Sequence, residues 1–327
     1  MNDIPSRIFV TEEGPREGFQ IEPGSIATRQ KVALIDALSH TGLSAMQVCS
    51  FVNPKLVPGW GDASEVVNAM QKVDGVSYTA LWFNDKGIQR ALQHSDKLTL
   101  TGCIHLCASE AFSLNNLHRN REANLHAMRE QTANHQRSGI AVTKISVMAA
   151  YGCNFSADVS TADVLQAVED GLSIANEYDA SISEIALADT MGWATPGRIR
   201  AVTGAVCERW PDIPIRLHLH DTRGIGIANA WSAMQLGVDR FDTTVGGLGG
   251  CPFARQPGAS GNIATEELLL LAHEEGIETG IDLDAMLDCA LLAEEVVGHP
   301  LPSAVIRGGS LDRYRRAARS GNGGALQ

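Results

Sequence analysis

The chain has 327 residues, 44% of them apolar and 20% charged, an ordinary globular composition that can bury a large core without staples. Its net charge of −12 argues against nucleic acid or an anionic membrane as the main partner, although a few local Arg, Lys or backbone N–H groups suffice to hold an anionic ligand. The seven cysteines are odd in number, widely spaced and without a CxxC pair, which disfavours a disulfide framework or a structural zinc site and fits reduced thiols in a cytoplasm.

The opening segment MNDIPSRIFVTEEG lacks a signal-peptide h-region, and no apolar run reaches bilayer-spanning length, so a cytoplasmic protein with no membrane partner is expected. Short apolar runs then alternate with helical patterns. A strand over Arg7–Thr11 leads through the turn Glu13–Gly18 to a helix at Arg29–Ser39, then a strand at Ala45–Ser50 and a helix at Ala63–Lys72. Strand Ser77–Leu81, helix Asp85–Gln93, strand Leu98–Leu106 and helix Arg121–Arg137 follow. Next come strand Ala141–Met148, helix Thr161–Asn176, strand Ser183–Ala188 and helix Arg198–Arg209. Strand Ile213–His220, helix Gly226–Leu236, strand Arg240–Thr244 and helix Ala264–Glu275 complete the alternation. Thr28 and Thr161 read as N-caps, and the helix begun at Thr161 carries apolar Val164, Leu165 and Val168 at helical period.

Eight strand–helix units without a long polar linker predict one parallel (β/α)8 TIM barrel over residues 1–280. A C-terminal helical extension over 281–315, including Asp282–Val297, is expected to pack on the barrel, and 316–327 reads as a frayed tail. The alternative, an open doubly wound sheet, is weakened by the number of units and by the lack of GxGxxG after the first strand.

In a barrel the reacting groups lie at the carboxyl ends of the strands. Polar residues recur there: Arg16 and Glu17 after strand one, Gln47 in strand two, Asp189 after strand six, His218, His220 and Asp221 ending strand seven, and Cys251 and Asn262 in the glycine-rich segment after strand eight. His218 and His220 are two apart and so face the same way, which lets two imidazoles share one metal ion. Two satisfied buried histidines are the plain alternative for such a short motif. Arg16 by default is an exposed turn residue paired with a nearby Glu, but its place in a Gly-Pro-Arg-Glu-Gly turn suits a fixed cation that meets developing negative charge. Cys251 would by default be a small buried hydrophobe; following GGLGG, it suits a mobile catalytic loop.

The strings EEGPREGFQ, CSFVNPKLVPGWGD, LADTMGWATPG, HLHDTRG and GGLGGCPFARQPGASGNIATEEL together resemble the 3-hydroxy-3-methylglutaryl-CoA lyase family of metal-dependent barrel enzymes, in order from about Ile8 to about Thr279. The resemblance implies cleavage of an acyl-CoA thioester, a 3-hydroxyacyl-CoA such as 3-hydroxy-3-methylglutaryl-CoA, to acetyl-CoA and a keto acid. It implies Mg2+ or Mn2+ held by Glu17, His218, His220 and Asn262, with Arg16 stabilising an enolate oxygen and Cys251 acting as loop acid or closure element. Asp189 and Glu266 fall on further active-site positions, and a homodimer is implied. The chain departs from the family at Glu17, where the family has Asp in an Arg-Asp-Gly turn, and at Gln47, where it has Glu. It departs again at Ala186, where the family has Ser, and in a Cys251 loop two residues longer. Gln47, Ala186 and Asp189 are therefore expected to bound the acyl group, which leaves a different branched substrate such as citramalyl-CoA open. Two other classes are a condensing synthase of the isopropylmalate type and an inactive barrel serving as a binding subunit. The first is weighed against by the short C-terminal region, the second by the joint presence of Arg16, His218, His220, Cys251 and Asn262.

Overall fold

The computed structural model describes residues 4–22, 26–55, 57–250 and 261–319. Its eight strands are β1 (Phe9–Glu12), β2 (Ala45–Ser50), β3 (Ser77–Leu81), β4 (Gly102–Cys107), β5 (Val142–Met148), β6 (Glu184–Ala188), β7 (Ile215–His218) and β8 (Arg240–Thr243). Every pairing is parallel and the ladder runs β3-β2-β1-β8-β7-β6-β5-β4, so each strand lies beside its neighbour in sequence and β1 beside β8. The remaining edge, between β3 and β4, is crossed just before β4 by Thr99 N–H donating to Tyr78 O at 2.7 Å. This is the (β/α)8 barrel expected from the alternation of elements.

Alternation along the strands explains which residues form the core. Val10, Met46, Val48, Tyr78, Ile104, Leu106, Ile145, Val147, Ile185, Leu187, Leu217 and Phe241 are buried against the outer helices. The opposite set, which includes Thr11, Gln47, Lys144, Glu184, Ala186, Arg216, His218 and Asp242, lines the barrel interior. Arg216 there donates to Glu184 on β6, Thr11 on β1 and Asp242 on β8 at 2.9, 2.9 and 3.2 Å, and Lys144 Nζ of β5 lies 2.7 Å from Glu184. A buried ionic layer thus fills the middle of the barrel.

Several element ends differ from the sequence reading. Helix Thr28–Ser39 starts one residue earlier, with Ala27 at the N-cap; the Thr28 hydroxyl donates instead to Asp62 Oδ2 at 2.7 Å. Thr161 is the first helical residue of Thr161–Glu177, and Ser160 is the cap. Its Oγ accepts from Asp163 N–H at 3.1 Å while the Asp163 carboxylate accepts from Ser160 N–H at 3.2 Å, a reciprocal capping box. Helix Glu110–Asn116, capped by Ser109, was too short to show a period. Helix Leu311–Arg319 includes residues 316–319, which the sequence reading gave to a frayed tail; its Arg315 and Arg316 pair with Glu274 and Asp284. No described helix is long and apolar enough to cross a membrane.

Candidate active site

The chain leaves β1 through a π-helical turn, Gly14–Gly18, a geometry that recurs where side chains must converge. Glu12 anchors this turn. Its Oε1 accepts from Gly14 N–H at 2.7 Å and Val245 N–H at 2.8 Å, and its Oε2 accepts from the Thr265 hydroxyl at 2.5 Å. One fully buried carboxylate thereby ties the exits of β1 and β8 to the start of helix Thr265–Glu274. A Cβ at Gly14 would meet Glu12 Oε1 at 2.6 Å, so only glycine admits that carboxylate.

The turn presents Arg16 and Glu17 to the end of β7. Arg16 Nη1 lies 3.0 Å from Glu17 Oε2, and Arg16 Nη2 lies 2.5 Å from Glu13 Oε2. Glu17 Oε1 in turn lies 3.6 Å from His218 Nε2 and 3.5 Å from His220 Nε2. β7 ends at His218 rather than His220; His220 instead forms an isolated bridge with Asn262. That bridge brings in the last predicted ligand, and Asn262 Nδ2 donates to Glu17 Oε1 at 3.1 Å. Gly249 has φ +93°, and a Cβ there would meet Asn262 Nδ2 at 2.8 Å, so the glycine-rich segment also keeps room for this amide.

Burial opposes charge on Glu17, His218 and Asp189, and the local partners set the outcome at each. For Glu17 burial is outweighed by Arg16 and His218, which hold the carboxyl well below the usual carboxylate range. For His218 burial is outweighed by Glu17 and by Asp242, whose Oδ2 is 3.5 Å from Nδ1, and the imidazole is pushed well above its ordinary value. Burial lifts Asp189 to about 6 against the pull of His220. Asp189 Oδ1 accepts from Trp193 and Ala194 N–H at 2.7 and 2.9 Å, and its buried Oδ2 has no partner. The Asp189 carbonyl lies 2.8 Å from His220 Nδ1. A carbonyl only accepts, so Nδ1 carries a proton and Nε2 is the ring nitrogen turned toward Glu17.

These residues fit a divalent cation. Single donor atoms of Glu17, His218 and His220 lie within 4.8 Å of one another, and the two imidazole-to-carboxylate distances are longer than ordinary hydrogen bonds. Asn262 Oδ1 is buried without a partner beside them. Two imidazoles, a carboxylate and an amide oxygen form a mixed nitrogen and oxygen donor set suited to such an ion.

The other predicted positions separate. Gln47 is the residue after Met46, which pairs with Glu12, so it stands abreast of Glu13 on the inner face; its Oε1 is buried and unpartnered. Ala186 pairs with Arg216, one layer below His218. Glu266 is fully buried, and both its oxygens accept from Gly246 N–H at 3.1 Å. It therefore sets the base of the glycine-rich segment. Cys251 lies outside the described residues. Glu12, Glu13 and Asp242 were not singled out from sequence. Their signal was available, since Glu12 and Glu13 end a strand before a glycine turn and Asp242 sits on β8 at the register of His218.

Comparisons with known proteins concern the chain as a whole. The sequence profile described as HMGL-like matches residues 7–292. Hydroxymethylglutaryl-CoA lyase YngG of Bacillus subtilis is 36% identical over 299 residues, 91% of this chain and 96% of that protein. The mitochondrial hydroxymethylglutaryl-CoA lyase of Homo sapiens is 37% identical over 288 residues, 88% of this chain and 85% of that protein. The solved structure of an HMG-CoA lyase from Acinetobacter baumannii in complex with coenzyme A and 3-methylmalate superposes with a TM-score of 0.82 at 34% identity, covering 93% of this chain and 96% of that one. With its profile matched across most of its length, the chain belongs to the HMGL-like family.

Proposed function

We propose that this protein is a metal-dependent carbon–carbon lyase that cleaves a 3-hydroxyacyl-CoA, 3-hydroxy-3-methylglutaryl-CoA or a close analogue, to acetyl-CoA and a keto acid. The observation that carries the reading is the convergence of Arg16 with Glu17, His218, His220 and Asn262 at one end of the barrel, in a chain so similar to named hydroxymethylglutaryl-CoA lyases.

Glu17, His218, His220 and Asn262 Oδ1 would hold the cation. When bound, it supplies Lewis acidity that eases loss of the substrate hydroxyl proton and orients substrate oxygens. Asp189, lifted to about 6 by burial and with Oδ2 free, is the acceptor for that proton. As the C3–O bond becomes a carbonyl, the C2–C3 bond breaks and its electron pair passes into the thioester enolate. Arg16 is held charged by Glu13 and Glu17 despite burial and stabilises the enolate oxygen, an interaction made only as charge develops. Protonation at C2 then yields acetyl-CoA, the step for which the sequence offers Cys251.

The imidazole and oxygen donor set supports Mg2+ or Mn2+. The family resemblance supports a homodimer. Glu17, Gln47 and Ala186 leave the acyl group open within the 3-hydroxyacyl-CoA class; the relative solved with 3-methylmalate shows that a neighbouring barrel holds a smaller branched acid. The test is incubation of the purified protein with Mg2+ or Mn2+ and a panel of 3-hydroxyacyl-CoA thioesters, with acetyl-CoA release as readout. Absence of cleavage across the panel, with the metal shown to bind, would refute the proposal.

A further inference from the structure

Arg16 is gripped from two sides. Glu17 holds one terminal nitrogen and Glu13 the other, at 3.0 and 2.5 Å. The Glu13 carboxylate also reaches His218, with Oε2 3.7 Å from Nδ1, and joins His218 and Asp242 in a second compact cluster. Glu13 is 7% exposed; burial pushes its carboxyl up, and Arg16 is the strongest pull in the other direction.

The neighbouring strand supplies the second observation. Because Glu12 pairs with Met46, Glu13 and Gln47 stand abreast on β1 and β2, about 4.8 Å apart at the backbone. Gln47 is a neutral amide whose buried Oε1 has no partner. A carboxylate at both places would set two buried anions side by side on adjacent strands, with Glu17 on the same turn as Glu13, a repulsion that burial would sharpen. An amide in one place and a carboxylate in the other removes it.

We infer that Glu13 is the positioning residue for Arg16, and that it takes over, from β1, the anionic grip which a carboxylate on β2 would otherwise supply. This inference rests on the lyase reading for its catalytic consequence but not for its geometry. Glu13 fixes the plane of the guanidinium so that one face of the fork stays aimed at the reacting centre, and Gln47 is neutral because that charge is already present one strand away. The two positions then form an exchangeable pair: what matters is one carboxylate abreast of Arg16, on either strand.

The experiment is a cycle of Glu13→Gln, Gln47→Glu and both together, read in two ways. The first is steady-state turnover with the divalent metal and the best thioester substrate of the wild type. The second needs no substrate: the rate at which phenylglyoxal modifies Arg16, followed by peptide mass spectrometry. Glu13→Gln should lower kcat at least 50-fold with KM changed less than threefold, and should speed Arg16 modification at least fivefold. Gln47→Glu alone should also lower kcat. The double variant should recover kcat to within tenfold of wild type and return the modification rate to near the wild-type value. Metal affinity by calorimetry and the thermal midpoint serve as controls, and both should stay close to wild type in Glu13→Gln. The inference is overturned if Glu13→Gln keeps kcat and the modification rate within twofold, or if the double variant is no better than Glu13→Gln. Should the double variant not fold, Glu13→Ala with added formate replaces it: restoration of turnover or of Arg16 protection supports the inference, and no restoration of either overturns it. A wild type inactive on every thioester would sink the lyase reading and leave the Arg16 modification rates to decide this one.

Discussion

Replacing Glu12 separates the charge of a buried carboxylate from the hydrogen bonds it accepts. In Glu12→Gln the amide oxygen can keep the two N–H bonds that Oε1 accepts from Gly14 and Val245. The amide nitrogen then faces Thr265, whose hydroxyl can turn toward Thr243 Oγ1, 2.6 Å away. In Glu12→Ala three buried donors lose their acceptor, at about 1–3 kcal/mol each. The charge acts separately. Burial pushes Glu12 up from 4.5 to about 7, so between those two pH values the folded protein keeps a proton that the unfolded chain releases. The contribution of Glu12 to stability therefore falls as pH rises from 4.5 to about 7 and is flat above it; the difference of about 2.5 pH units corresponds to about 3 kcal/mol. Glu12→Gln lacks this loss. Urea unfolding at several pH values from 4.5 to 8.5 should show Glu12→Gln gaining on the wild type by up to about 3 kcal/mol across the window, while Glu12→Ala is less stable throughout. A wild-type-to-Glu12→Gln difference that does not change with pH would refute the argument, because it would mean that Glu12 titrates alike in both states.

The remaining predictions concern the cluster itself. His218→Ala and His220→Ala should each remove detectable metal binding by calorimetry and abolish turnover without unfolding the barrel; metal content and activity that survive both changes would show the site to be misassigned. In the wild type His218 holds a proton to unusually high pH against burial, so cation binding should release a proton and strengthen with rising pH, as calorimetry in buffers of different ionisation enthalpy can show. Arg16→Lys keeps the charge but loses the planar fork and should lower kcat by roughly 10²–10³-fold with little change in KM; a normal kcat with raised KM would make Arg16 a binding residue only. Glu17→Asp shortens a proposed ligand by one methylene and should shift preference among 3-hydroxyacyl groups; an unchanged ranking of kcat/KM across the thioester panel would remove Glu17 from the specificity argument.

The barrel was legible because its signals are local and repeated. Alternating apolar positions such as Ile145 and Val147 and helical periods such as Thr161–Glu177 are each set by their own residues. His218 and His220 were legible for the same reason, since strand period alone puts two imidazoles on one face. Element ends were less so: Thr161 and Ser160 both suit a cap, and only the Asp163 side chain returning to Ser160 N–H decides between them. Glu12 was legible as a carboxylate ending a strand before a glycine turn, but its role was not. Its three partners, Gly14, Val245 and Thr265, are spread over more than 250 residues, and nothing near Glu12 distinguishes it from the adjacent Glu13, which does something different. Glu266 shows the reverse case, a position matched by resemblance whose carboxylate in the fold engages the Gly246 backbone.

The ionic layer beneath the cluster explains why a barrel interior here is not filled with branched aliphatics. Charges alternate along one connected path: Lys144 to Glu184 at 2.7 Å, Glu184 to Arg216 at 2.9 Å, and Arg216 to Asp242 at 3.2 Å. From Asp242 the path runs to His218 at 3.5 Å, to Glu17 at 3.6 Å, to Arg16 at 3.0 Å and to Glu13 at 2.5 Å. Buried ion pairs of this kind contribute little net stability compared with well-packed apolar side chains, so stability alone does not account for them. What the path does provide is orientation. Asp242 is fixed by Arg216, which is fixed by Glu184 and Thr11, so the imidazole of His218 is addressed by a carboxylate that cannot swing away. Removing Arg216 leaves Asp242 without its guanidinium partner in a medium where that is costly, and the disturbance reaches His218, which Asp242 faces. The cluster at the mouth is therefore preorganised from below, by groups that never meet the substrate.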